Sequence, residues 1–249
     1  MNQVRKIEAN QSPYDIVRSN YKTADILSRY NINYCCGAKI PVTDICETMG
    51  IDVTKLVHEL NMAVNTMPSI TLINTGTWTL HFLVDYTINI HHVYLRQNLP
   101  VVMSYLDRFK ANHGESFKYV DQLIDNIKKL TSQLFTHMDE EESIIFPYIK
   151  QIHSAHLHKE NYAGLLVRTL KKPVDNLSRT QQHGLNATLL ECRNLTNSYT
   201  VTEKSCLHHK VTFAKLRELD DNLTQHLYLE NEIIFPRAIS IERELLENS

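Results

Sequence analysis

The sequence predicts an all-α chain, a small N-terminal helical domain followed by a four-helix bundle, and three observations predict it. Of 249 residues only six are Gly and seven are Pro, too little turn punctuation for a sheet-rich fold. From Trp78 onward, apolar residues recur at steps of three and four over long stretches, the period of helices with one buried face. One stretch is also repeated. His137-Met-Asp-Glu-Glu141-Glu-Ser-Ile-Ile-Phe146-Pro147 returns as His226-Leu-Tyr-Leu-Glu230-Asn-Glu-Ile-Ile-Phe235-Pro236, with His, Glu, Phe and Pro at the same offsets.

A chain of this length can bury one large core or two modest ones. The formal net charge of -2 provides no basic field for nucleic acid or anionic lipid, so neither is expected as a partner. Residues 1–14 are polar and charged, without the apolar segment of a targeting signal, and no run reaches the about 18 apolar residues of a membrane span. The expectation is a soluble protein that stays where it is made. Five cysteines, two of them adjacent, suit a reducing compartment better than a disulfide framework.

The N-terminal domain is placed at residues 12–66. Tyr14 to Arg29 carries Ile16, Val17, Tyr21, Ala24 and Leu27 on a helical stripe. A short helix is expected from Thr43, and Asp52 reads as the N-cap of a helix over Val53 to Val64 because its carboxylate can accept the first free N–H groups. Between these lie Cys35, Cys36 and Gly37. Adjacent cysteines seldom pair with each other, because the disulfide would strain the intervening peptide. Their thiols remain available for metal, persulfide or redox exchange, or serve as small buried hydrophobes in a turn. Residues 66–77 contain Pro and Gly between helical patterns and make the linker.

The bundle is placed at residues 78–245. Its first helix bears Val84, Ile88, His92, Leu95, Leu99, Val102, Leu106 and Phe109, with Pro100 expected to kink or divide it. The second carries Leu123, Ile127, Leu130, Leu134, His137, Glu141 and Ile144. A weaker stripe after Pro173 runs Thr180, His183, Ala187, Leu190 and Asn194, and the last helix carries Leu216, Leu219, Leu223, His226, Glu230 and Ile233. Each helix thus places a histidine on its inward seam, the arrangement by which a bundle builds a metal centre in its core.

A single histidine on an apolar stripe is ordinarily a hydrogen-bonded core residue. The case for ligands rests on coincidence over four helices and on Glu141 and Glu230, because an unpaired carboxylate is expensive to bury without a cation. Four residues make just over one turn, so each His and its Glu share a face about 6 Å apart. The expected ligand set is His92, His137, Glu141, His183, His226 and Glu230. Four imidazoles and two carboxylates suit two iron or manganese ions better than zinc. The glutamates would bridge the metals, leaving positions for an oxo or hydroxo bridge and a small exogenous ligand. Distance along the helix excludes His81 and His113. His91 and His209 are expected to point away from the seam, and His153, His156 and His158 to fall in a solvated connection.

With these residues placed, the chain resembles the hemerythrin-like proteins and, more closely, the di-iron iron-sulfur cluster repair (RIC) proteins. The likeness covers nearly the whole chain. It rests on Ile32-Asn-Tyr34-Cys35-Cys36-Gly37, on Gln97-Asn-Leu99-Pro100 after His92, on His137-Met138 with Glu141-Glu142 before Phe146-Pro147, and on Leu229-Glu230-Asn231 with Phe235-Pro236-Arg237-Ala238. Oxygen-carrying hemerythrins usually supply a second His one turn along the third helix, where this chain has Ala187, and an Asp five residues after the last His, where it has Glu230 after four. Both departures agree with the repair family. Gln182-His183-Gly184 lacks the acidic residues that usually flank that His.

The resemblance implies a cytoplasmic, homodimeric stress-response protein with two iron ions that restores clusters damaged by nitric oxide or peroxide, donating iron to damaged or apo iron-sulfur proteins rather than turning over a substrate. Cys35 and Cys36 would engage the recipient or carry electrons. The alternatives are an oxygen or nitric-oxide sensor built on the same centre, a di-iron enzyme that reduces nitric oxide, and a metal-free structural bundle.

Overall fold

The computed structural model describes residues 6–35, 39–64, 75–160, 162–170 and 173–247. Among these there is no strand, and the chain is helical in two compact units. The first unit comprises residues 1–71 together with 200–215, and the second residues 72–199 and 216–249.

In the first unit, α1 (Pro13–Ser19) and α2 (Thr23–Arg29) replace the single helix expected there. The break arises at Asn20, whose backbone is extended and whose side-chain oxygen accepts the Lys22 N–H at 3.0 Å, a local bond that competes with helix continuation. Ile16, Val17, Ala24 and Leu27 are buried as their stripe requires. α3 (Val42–Met49) ends on Gly50 in the left-handed conformation at φ 66°, where a residue without Cβ is least strained. α4 (Val53–Val64) is capped by Asp52, which accepts from Thr54 N–H at 2.9 Å and Lys55 N–H at 3.1 Å. Most of the expected linker lies outside the described residues.

The second unit is the bundle. Its first rod is α5 (Leu80–Tyr86), a π-helical turn over Thr87–His92, and α6 (Val93–His113). The second is α7 (Val120–Glu140), a π turn over Glu141–Ile145, and α8 (Phe146–Leu157). α9 (Ala163–Leu170) leads into the third rod, α10 (Pro173–Leu195). The fourth is α11 (Leu207–Tyr228), a π turn over Leu229–Ile234, and α12 (Phe235–Glu247). The opening turns of α11 fall within the stretch grouped with the first unit. α7 packs against α6 and α10, and α12 against α8, α9 and α10. Pro100 neither divides α6 nor marks its end.

The register of the core differs from expectation in two places. Ile144 and Ile233, expected inside, are respectively 54% exposed and half-buried, while Ile145 and Ile234 fill the core. Each π turn inserts one residue and rotates the helix beyond it. Each of these two turns is followed by a proline: Pro147 and Pro236 have no N–H to donate, and a proline ring in a regular helix tends to clash with the carbonyl four residues back. The widened turn lets Phe146 N–H and Phe235 N–H bond the carbonyls of Glu141 and Glu230 instead. On α10 the expected face is also wrong. Ala187, Leu190 and Asn194 are exposed, and Leu185, Thr188, Leu189 and Cys192 are buried. The connection expected to hold His153, His156 and His158 is helical too: the first two lie in α8 and His158 caps it.

Candidate metal centre

Each ligand candidate described below sits where a π turn meets a regular helix. His92 closes the first π turn, Glu141 and Glu230 lie within the other two, and His137 and His226 occupy the last turns of α7 and α11. Thr87 bonds the carbonyl of Leu83 and Asn89 that of Asp85; side-chain bonds of this kind compete with the regular ladder and loosen the first of these turns without a proline. Around the far side of the motifs, Ile145, Phe146, Ile149, Ile234, Phe235 and Ala238 pack with Leu80, Leu83 and Val84 into a dry cluster.

The side chains converge. His92, Glu141, His226 and Glu230 each offer a ligand atom, all within 4.8 Å of one another, and all four are buried. His92 Nε2 lies 3.1 Å from His226 Nε2 and 3.4 Å from Glu141 Oε2. His137 Nε2 is 3.3 Å from both Glu141 Oε2 and Glu230 Oε2. His226 Nε2 closes on Glu230 Oε1. Neighbouring ligands on one cation, with bonds of about 2.1 Å, stand about 3.0 to 3.4 Å apart, a range that holds the His92–His226, His92–Glu141, His137–Glu141 and His137–Glu230 separations.

The polar bookkeeping fits a cation as well. Glu141 and Glu230 are 0% exposed; imidazole nitrogens of His92, His137 and His226 face their carboxylates, and among the described residues Oε1 of Glu141 has no hydrogen-bond partner. Burial, and then the Glu230 charge, raise the Glu141 carboxyl well above the carboxylate range. Burial also works against Glu230, but the imidazoles of His226 and His137 outweigh it and hold that carboxyl low. Two carboxylates in one dry site cannot both stay charged without positive charge between them. His92, pushed down to about 4 first by burial and then by His226, stays neutral with a lone pair to donate.

Two features of the site escape a reading of the sequence. Glu142 Oε1 lies 2.7 Å from His92 Nδ1 and 3.1 Å from Arg96, which also reaches Asp139 at 2.8 Å. The carboxylate accepts the Nδ1 proton and turns Nε2 toward the centre, the tie by which proteins orient a metal-binding imidazole. Its signal in the sequence is the acidic run after His137, in which helical spacing singles out only Glu141. His91, expected to point outward, is 1% exposed and stacks on His226, ring centres 6.0 Å apart. The wider π turn brings two consecutive histidines inside. His209 is buried as well, edge-on to Phe213. The His183 backbone lies in α10, and its side chain falls outside the described residues. Beside it Gly184 lets α10 approach α7 closely: a Cβ there would meet Gln133 at 3.2 Å. Of the cysteine pair, Cys36 lies outside the described residues. Cys35 lines a cavity of about 770 Å³ in the first unit together with Arg18, Lys39, Cys206 and Lys210.

A helical bundle that brings imidazoles and two carboxylates to one dry interior point defines a class, the helical cation-binding proteins. Residues 83–238 match the hemerythrin HHE cation-binding domain, and the chain belongs to that family. Residues 9–64 match ScdA_N, a domain of unknown function (DUF542). The chain is similar to the iron-sulfur cluster repair protein ScdA of Staphylococcus epidermidis, 25% identical over 90% of this chain and 96% of that one. It is similar to the iron-sulfur cluster repair protein YtfE of Enterobacter sp., 26% identical over 92% and 96%. A probable iron-sulfur cluster repair protein of Haemophilus influenzae is 23% identical over 86% and 90%. Among the described residues no helix is long and apolar enough to cross a membrane.

Proposed function

We propose that the chain repairs iron-sulfur clusters damaged by nitrosative or oxidative stress, holding two iron ions between His92, His137, Glu141, His183, His226 and Glu230 and passing iron to the damaged or apo protein. Relatives named for that repair, similar along about nine-tenths of the chain, support the activity. One observation carries the metal: two fully buried carboxylates meet at one point with the imidazoles of His92 and His226, every ligand atom within 4.8 Å of the others. Glu141 and Glu230 would bridge the pair. In this reading the iron is cargo, and the donor chemistry suits delivery, since oxygen and nitrogen ligands hold ferrous iron less tenaciously than a thiolate cage. Glu142 keeps His92 facing inward between rounds of delivery, so that the site can be refilled.

The thiols of Cys35 and Cys36 would meet the recipient or carry electrons, in a cytoplasmic homodimer. The test is transfer. The iron-loaded chain, mixed under anaerobic conditions with a purified apo-cluster protein, sulfide and a reductant, should restore the cluster absorption of that protein. E141L and E230L should not. Restoration no faster than with free ferrous iron would remove the proposal. Catalytic consumption of nitric oxide with an electron donor, or reversible gas binding without iron loss, would favour the enzyme or the sensor instead.

A further inference from the structure

The second unit carries another pair of facing imidazoles, outside the core. His81 on α5 and His153 on α8 face each other, Nδ1 to Nδ1, at 3.4 Å, with their rings 5.7 Å apart. His81 is exposed and His153 half-buried. The pair is not a side effect of loose surface chains. One turn along α5, Asp85 meets Lys150, a turn back on α8, at 2.5 Å, so the two helices run antiparallel and are tied at two successive levels. Behind these ties Leu80, Leu83 and Val84 pack with Ile149, Ile152 and Ala155 in the buried cluster. Both imidazoles therefore stand on helices that the core holds rigid, which is what a preorganised binding pair needs.

A separation of 3.4 Å is long for an N–H donor, which ordinarily keeps about 2.7 to 3.2 Å from its acceptor. It equals the edge of a tetrahedron of ligands around a cation with bonds of about 2.1 Å. We propose that His81 Nδ1 and His153 Nδ1 together hold a divalent first-row cation at the surface of the bundle, water completing its coordination. Imidazole is the ligand that zinc, copper, nickel and ferrous iron share, and two protein ligands make this an exchangeable site rather than a structural one. His156, one turn beyond His153, is engaged through Nε2 by Glu244 at 2.8 Å and is not part of it. Burial, reinforced by His81 and His156, lowers the His153 pKa, which keeps its lone pair available near neutral pH. Eleven residues separate His81 from His92, roughly 16 Å of helix, so the surface cation cannot share a ligand with the interior centre. The proposal stands whether or not the chain repairs clusters.

The experiment is a zinc titration of the full-length, iron-loaded chain by calorimetry near pH 7.5, with iron content checked before and after. The expected result is that H81A and H153A each bind one fewer zinc per chain than the unsubstituted protein, or bind it at least tenfold more weakly. Iron content should be unchanged, and H156A should retain the zinc. With cobalt in place of zinc, the visible bands of a tetrahedral ion should appear in the unsubstituted chain and vanish in H81A. Equal zinc binding by H81A, H153A and the unsubstituted chain overturns the proposal. So does loss of the zinc in H156A alone.

Discussion

Glu141 and Glu230 set the chemistry at the scale of single residues. Each is 0% exposed and, among the described residues, lies against imidazoles rather than Lys or Arg; under the proposed function the metal-free site is a destabilised state that a cation would relieve. Replacing Glu141 with Leu should therefore split two quantities that usually fall together. Iron retention should be lost, while the metal-free variant should be more stable than the metal-free parent by on the order of 1 to 3 kcal/mol, the cost of leaving a buried polar group unmatched, and so unfold at a higher temperature. Calorimetry in chelator reads this, and a metal-free E141L that melts below its parent would contradict it.

Glu142 acts one bond further out. E142A should weaken iron binding by about 10- to 100-fold with the fold intact, and E142Q by less, since an amide oxygen still accepts from His92 Nδ1; an isothermal iron titration of the two variants decides. The thiols divide in the same way. Burial, with Asp220 next, pushes the Cys192 thiol up to about 12, and burial raises buried Cys46 too. Between pH 7 and 9 brief alkylation followed by mass spectrometry should therefore label half-buried Cys35 and Cys206 and spare Cys192 and Cys46. Labelling of Cys192 at the same rate as Cys206 would show that its surroundings open in solution.

At the scale of elements, the four rods were legible because Leu, Ile and Val stand out against charged residues at helical period, and His137 with Glu141 interrupts that pattern in an obvious way. The π turns were not legible, since any reading at 3.6 residues per turn assumes the regular ladder that Pro147 and Pro236 interrupt. The cost was one residue of register, seen in the exchange of Ile144 for Ile145 and of Ile233 for Ile234. The third rod misled for a different reason. Its stripe of Thr, His, Ala and Asn has too little contrast with its surroundings for periodicity to pick a face, and the buried positions turned out to be Leu185, Leu189 and Cys192. If the prolines impose the widened turns, P147A combined with P236A should keep its helix content by circular dichroism and lose at least tenfold in iron affinity, as the carboxylates rotate away from His92 and His226. Undiminished affinity would mean that packing, and not proline, holds the turns.

At the scale of the whole molecule, the sequence placed a small helical unit before a bundle, and the resemblance it carried supplied the family. It did not show that residues 200–215 group with the N-terminal unit, because grouping residues far apart in the chain depends on tertiary contacts that local patterning does not encode. Iron that binds the folded chain alone must stabilise it by mass action, by about 2.7 kcal/mol at a hundredfold excess over the dissociation constant. The unfolding temperature should accordingly rise with free ferrous iron and fall on chelation, where a metal-free structural bundle would show no change.

The most direct measurement is metal analysis of chain purified after growth with ample iron, alongside E141L and E230L. The account predicts two iron ions per chain in the parent and loss of iron in both variants. An empty parent, or a variant that still carries two, would contradict it.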